Sequence, residues 1–343
     1  METTDLQRMA LSVIAYDDLP TGPKIVDGIP QSWTILDLIK AGKIEGASYN
    51  DSTNAVELSK PELSAITTML KWPLVSYQPN TSSGFSAVAF ENPSVDEVVF
   101  AFRGTEPVSQ FGADITNADL QIALQESLPS QFIEAENFVN SVLNNSQYDD
   151  ASYSFTGHSL GGALASYMTY VTNTDGVAGV GKSVTFNAPG IANMLPTTVN
   201  PRDYDDLVKD YVNQSDFIGN ANQSSQLGTT VYIQSNLNST LAHDMATFLG
   251  TVVAANNPFL SPLDKIKIQA DALDEEARLL KGVLPFGNHG MGDMVRDGQM
   301  MPPATITPTN QFVGYVADGA YQIYSGGKFA VVTVGDTIGG LIY

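Results

Sequence analysis

Ser154-Phe155-Thr156-Gly157-His158-Ser159-Leu160-Gly161-Gly162-Ala163-Leu164-Ala165 decides the fold. A β-prone run from Ala151 to Thr156 feeds Gly157-His158-Ser159-Leu160-Gly161, and helix-forming residues follow at once. G-x-S-x-G between a strand and a helix is the setting of a nucleophile elbow, which lifts a serine hydroxyl clear of a sheet and offers it to a base. The turn is tight, and Gly157 and Gly161 remove the Cβ atoms that would clash in it. Gly162, Ala163 and Ala165 let the helix press against the sheet, its positive N-terminal end aimed where an oxyanion would form. The competing explanation is a chance pentapeptide in a chain with 29 glycines. Strand before, helix after and small residues on the helix favour Ser159 as a nucleophile.

Outward from this stretch, composition sets bounds. A chain of 343 residues, 43% hydrophobic and 15% charged, folds and buries a large core. A net charge of −21 argues against nucleic-acid binding and against adsorption to anionic membranes, so any lipid contact is local and apolar. With no cysteine there is no disulfide, thiolate metal site or cysteine nucleophile. The N-terminus, Met1-Glu2-Thr3-Thr4-Asp5, lacks the basic and apolar regions of a signal peptide, and no run approaches the length of a membrane span. The expectation is an exported bacterial protein using a route without a recognisable signal peptide, with a cytoplasmic location left open.

Upstream of the elbow, residues 1–75 read as a helical lead-in covering one sheet face. Leu6, Met9, Ala10, Val13 and Ile14 keep helical spacing until Asp17-Asp18-Leu19-Pro20. Trp33, Leu36, Leu38 and Ile39 suggest a second helix. A third starts at Ser59-Lys60-Pro61, with Ser59 as cap. Strands are expected over 85–90 and 98–102, and an amphipathic helix over 131–145. Downstream, strands are expected over 183–186, 207–212 and 230–234. Alternating strand and helix predicts an α/β fold, a sheet covered on both faces with the elbow strand central.

Phe102-Arg103-Gly104-Thr105, followed by Gly157-His158-Ser159-Leu160-Gly161-Gly162, resembles the class 3 lipase family, which includes fungal triacylglycerol lipases and phospholipase A1-like relatives. The resemblance covers roughly residues 85–250 and implies an α/β-hydrolase-like core. It implies that Thr105 and Leu160 lend their N–H groups to an oxyanion hole. The matched V-N-x-x-D pattern, Val212 to Asp216, makes Asp216 the triad acid, although Asp203, Asp205, Asp206 and Asp210 lie nearby. The residues after Thr105 depart from the family: Asp114 to Leu120 lacks its tryptophan, and 106–113 is a weakly lid-like stretch. Arg103 reads as a structural ion pair behind the site.

Three histidines exist. His158 adjoins Ser159 on a sharp turn where neighbouring side chains diverge, so its place is beside the site. His243 and His289 remain. The family places its base on a loop after the last core strand and before a helix, which Leu241-Ala242-His243-Asp244-Met245 fits; His289 is the alternative base. The implied reaction is ester cleavage through an acyl-serine, with no cofactor and no metal. Beyond residue 250 the resemblance ends, in a helix over 263–281 and a β-hairpin over 321–334.

The expected organisation is therefore a lead-in (1–75), a lipase-like core (76–255) and a helical and β extension (256–343). The expected activity is hydrolysis of lipid carboxyl esters, with a lipid interface as a candidate place of action. Alternatives are an esterase on short soluble esters, an acyltransferase with the same triad, and an inactive hydrolase-fold binding protein. Oligomeric state is not legible.

Overall fold

The computed structural model describes residues 2–104, 130–213, 219, 225–233, 291, 294–296, 298–301 and 303. The N-terminal segment opens with α1 (Asp5–Ile14), whose Thr4 and Gln7 form a reciprocal capping box. A hairpin follows, β1 (Lys24–Val26) with β2 (Ile29–Gln31), turned at Asp27-Gly28, both with positive φ. Then come α2 (Ile35–Lys40), a second hairpin of β3 (Ala47–Asn50) and β4 (Ala55–Leu58), and a 3₁₀ run over Pro61–Thr68.

The main sheet is built from β5 (Leu74–Gln78), β6 (Ala87–Asn92), β7 (Glu97–Phe102), β8 (Ser152–His158), β9 (Ser183–Phe186), β10 (Val208–Asn213) and β11 (Thr229–Ile233). Its strand order is β11-β10-β9-β8-β7-β6-β5, so the elbow strand β8 stands at the centre. From β7 to β11 every pairing is parallel, while β5, β6 and β7 run antiparallel. Helices α3 (Ser130–Leu143) and α4 (Leu160–Thr174) supply crossovers. A short pair, β12 (Val295–Arg296) and β13 (Gln299–Met300), forms a separate two-stranded sheet.

Every residue of β7, Glu97-Val98-Val99-Phe100-Ala101-Phe102, is buried, as expected of a strand covered on both faces. Val98, Phe100 and Phe102 join Phe155, Phe132, Phe138 and Leu164 in the core under α3 and α4. Val99 and Ala101 point the other way, into a core with Met9, Leu11 and Ile14 of α1, Leu38 of α2, and Leu63 and Ile66. Met291, Met294 and Val295 pack into that same second core. The sheet is thus covered on both faces, an α/β-hydrolase-like arrangement.

Three expectations are corrected. The lead-in is not only helical: it also carries both hairpins, and β5 forms the sheet edge. The third helix is a 3₁₀ run whose cap position is Lys60, with no side-chain cap bond; Ser59 instead hydrogen-bonds the Gly46 carbonyl. The elbow strand extends two residues past Thr156, to His158. The helix expected over 263–281, the hairpin over 321–334 and the lid stretch 106–113 lie outside the described residues.

Candidate active site

Strand β8 ends at His158 and helix α4 begins at Leu160, so Ser159 alone makes the turn between them. It does so at φ 58°, ψ −129°, a left-handed conformation that costs a non-glycine residue about 1–3 kcal/mol. Neighbouring glycines make this turn fit by yielding space. A Cβ on Gly157 would land on the Gly161 carbonyl, one on Gly161 would land on the Phe102 carbonyl, and one on Gly162 would meet the Ala188 methyl at 2.6 Å. The end of β7 presses in as well: a Cβ on Gly104 would stand 2.6 Å from the His158 carbonyl and 3.1 Å from the Ser159 Cβ.

The Ser159 hydroxyl makes no capping bond to α4. Its carbonyl accepts from the N–H groups of Gly162 (2.9 Å) and Ala163 (3.2 Å), which seals the first turn of the helix. No backbone acceptor takes the N–H of Leu160 among the described residues. The first turn of a helix leaves such donors unsatisfied within the helix, at its positive end. Serine, free helix donor and the end of β7 therefore converge on one spot.

Other groups sit around it. His158 turns aside, as the sharp turn requires: its Nδ1 lies 3.1 Å from the Tyr16 hydroxyl, which also accepts the Gly104 N–H at 3.2 Å. Arg103 is buried and donates to Asn80 Oδ1 (2.6 Å) and the Gly84 carbonyl (3.0 Å), bracing the loop between β5 and β6. Next to Tyr16, burial pushes the Asp17 carboxyl up to about 7, opposed by the Glu45 N–H that it accepts and by Lys60. Its Oδ2 is buried without a hydrogen-bond partner among the described residues.

Of the residues expected at the site, the structure describes Ser159 and Leu160, side by side at the turn. Thr105, Asp216, His243 and His289 lie outside the described residues. The described acids near Asp216 are elsewhere. Asp203, Asp205 and Asp206 precede β10, which is parallel to β9 and β8, and so lie at the amino-terminal ends of these strands, opposite Ser159. Asp210 is buried within β10, where its Oδ1 accepts from Thr185 Oγ1 (2.8 Å). Two contacts are not legible in the sequence. Tyr16 reaches the site from 88 residues away, with no local pattern to announce it. Asn187, at φ 48°, uses its Oδ1 to hold the Asn213 N–H (2.8 Å) where β10 ends. Among the described residues no cluster of acidic or histidine side chains could hold a metal ion, and no helix is long and apolar enough to cross a membrane.

With this geometry in view, the family model described as Mbeg1-like matches residues 48–276. The chain belongs to the Mbeg1-like family. That family is class 3 lipase-like, in agreement with the resemblance carried by the Phe102–Thr105 and Gly157–Gly162 motifs. No curated protein matches the chain. Among solved structures it is similar to the Lip2 lipase from Yarrowia lipolytica, at 17% identity over 66% of this chain and 77% of that one, with a TM-score of 0.39. A triacylglycerol lipase whose catalytic centre is described as a serine protease triad matches at 18% identity over 50% and 69%, TM-score 0.38. The lipase from Rhizopus microsporus var. chinensis matches at 17% identity over 48% and 63%, TM-score 0.35.

Proposed function

We propose that this member of the family is a serine carboxylic ester hydrolase of the lipase or phospholipase A type, acting on carboxyl esters of lipids. The observation that carries the reading is the turn at Ser159: one residue in a strained left-handed conformation between β8 and α4, its hydroxyl not spent on the helix and the Leu160 N–H beside it.

In this reading His243 takes the Ser159 proton as Oγ attacks the ester carbonyl carbon. Asp216 holds the imidazole in the required tautomer and stabilises its charged form. The oxyanion accepts N–H bonds from Leu160 and Thr105, two donors whose loss typically costs about 10²–10³ in rate each. The alcohol leaves with the proton from His243, and water, deprotonated by the same histidine, releases the acid from Ser159. What supports these assignments is the chain around them. Thr105 directly follows Gly104, which abuts Ser159. Asp216 comes three residues after the end of β10, and His243 follows β11; both strands are parallel to β8, so their carboxyl ends face the same edge. The proposed organisation is a lead-in over 1–75, a core over 76–255 and an extension over 256–343.

The test is release of p-nitrophenol from short and long acyl esters by wild type, Ser159→Ala, His243→Ala and His289→Ala. Ser159→Ala and His243→Ala are expected to lose about 10⁴-fold or more in kcat, with His289→Ala active and long chains preferred. A dead His289→Ala with an active His243→Ala would move the base into the extension. Wild type silent on every ester, with detergent or lipid present, would turn the reading to a binding protein.

A further inference from the structure

From the joint between the end of β7 and the elbow, we infer that the Tyr16 hydroxyl is a positioning group for the nucleophile and its oxyanion donors: it ties Gly104, at the end of β7, to the elbow at Ser159. The inference rests on the proposed serine hydrolase reading and adds to it a residue from the N-terminal segment.

Tyr16 stands on a rigid mount. Its own N–H bonds the Val13 carbonyl (3.0 Å) and the Asp17 N–H bonds that of Ile14 (3.0 Å), so the chain leaves α1 in one direction. Beneath it α1 is tied to the sheet at several points. Arg8 pairs with Glu97 of β7 at 2.8 Å, Ser12 meets Thr156 of β8 at 2.9 Å, and Asp5 accepts from Tyr211 (2.6 Å) and Lys209 (3.0 Å) of β10. A helix bound to three strands of the sheet carries a side chain whose tip cannot drift far from the strand ends.

That tip meets both the end of β7 and the elbow. The hydroxyl accepts the Gly104 N–H on one side and contacts His158 Nδ1, from the residue preceding the nucleophile, on the other. The contact is close-packed: a Cβ on Gly104 would fall 2.5 Å from the Tyr16 oxygen. On its other flank the β7 end is held through Arg103, whose N–H bonds the Ser86 carbonyl (3.0 Å) and whose guanidinium grips Asn80 and Gly84. Gly104 is thereby fixed from two directions, and the next N–H in the chain is that of Thr105. An oxyanion donor works by being in place before charge develops, and misplacement by about 1 Å costs on the order of 10²-fold. Without the Tyr16 hydroxyl the Gly104 N–H loses the acceptor that joins the end of β7 to the elbow, and the donors proposed beside Ser159 lose their common anchor. Substrate binding in the ground state does not use this bond.

Tyr16→Phe keeps the ring and removes the oxygen. The expected result is a fall in kcat on a p-nitrophenyl ester on the order of tenfold to a hundredfold, with KM within about twofold of wild type. Affinity for an alkyl trifluoromethyl ketone, which forms a tetrahedral adduct on the serine and places an oxyanion in the pocket, should fall by the same factor. Tyr77→Phe is the control, because Tyr77 donates to the Asp17 carbonyl (3.5 Å) and so braces the same segment away from the pocket; its kcat and ketone affinity should match wild type. Unchanged kcat and ketone affinity in Tyr16→Phe would overturn the inference, as would an equal loss in Tyr77→Phe. Labelling of wild type by a fluorophosphonate separates the two levels. A labelled, active wild type with an unimpaired Tyr16→Phe removes the positioning role alone, whereas an unlabelled wild type without turnover removes the hydrolase reading and this inference with it.

Discussion

At the residue scale, Asp17 shows how burial converts position into pH dependence. Its folded carboxyl titrates near about 7 because burial disfavours the charged form, against about 3.9 in an unfolded chain. Between those values the folded protein keeps a proton that the unfolded chain gives up. This group therefore makes stability fall as pH rises from about 4 to about 7, and no further above that. Thermal melts of wild type and Asp17→Asn at pH 4, 6 and 8 check it: the variant should gain on wild type with each step. A difference that stays constant with pH would show that Asp17 titrates as an ordinary acid. Legibility also divides at this scale. The elbow was readable because its glycines are required by contacts within a few residues, Gly157 against Gly161 for example. Tyr16 was not, since its meaning depends on Gly104 and His158, which only the folded sheet brings to it.

At the scale of elements, α1 is attached by polar groups as well as by its apolar face. Arg8 and Glu97 are nearly inaccessible, and Thr3, Ser154 and Asn92 complete the cluster around them. Removing one partner of a buried pair strands the other charge and costs about 3–5 kcal/mol. Arg8→Ala should lose an amount of that order in urea unfolding, and Arg8→Met with Glu97→Leu should recover most of it. A single-variant loss below about 1 kcal/mol would mean that water reaches Glu97, as for a surface pair. The main strands were legible because parallel interior strands are apolar runs, as in Val98 to Phe102. Strand β5 was missed: each of its residues is only part-buried and Pro73 and Pro79 flank it, so neither alternation nor an apolar run marks it. The hairpin at Asp27-Gly28 did carry a turn signal, but helical spacing on either side of it dominated the reading of the segment.

At the scale of the whole molecule, the second core draws on distant parts of the chain: α1, the 61–68 run, the faces of β6, β7 and β9, and Met291, Met294 and Val295 near the other end. Residues 76–255 expressed alone would leave Val88, Phe90, Val99, Ala101 and Phe186 facing water. That fragment is expected to be insoluble, and co-expression with residues 1–75 to restore soluble protein. A soluble, cooperatively melting 76–255 fragment would show that the α1 face is dispensable. What the sequence could not convey at this scale is closure: periodicity marks an apolar face but not the element, hundreds of residues away, that covers it.

The anchoring of α1 also fixes an order of events during synthesis. It is made well before the strand it is tied to: Thr156, which its Ser12 meets, belongs to a strand that ends about 144 residues after the helix does. At roughly 5–20 residues per second on the ribosome, α1 waits on the order of 10 to 30 seconds for the β8 part of its cover, with only earlier residues such as Leu63 and Ile66 to pack on meanwhile. Through that interval it is a sticky helix on a tethered chain, the stage at which a holding chaperone has most to bind.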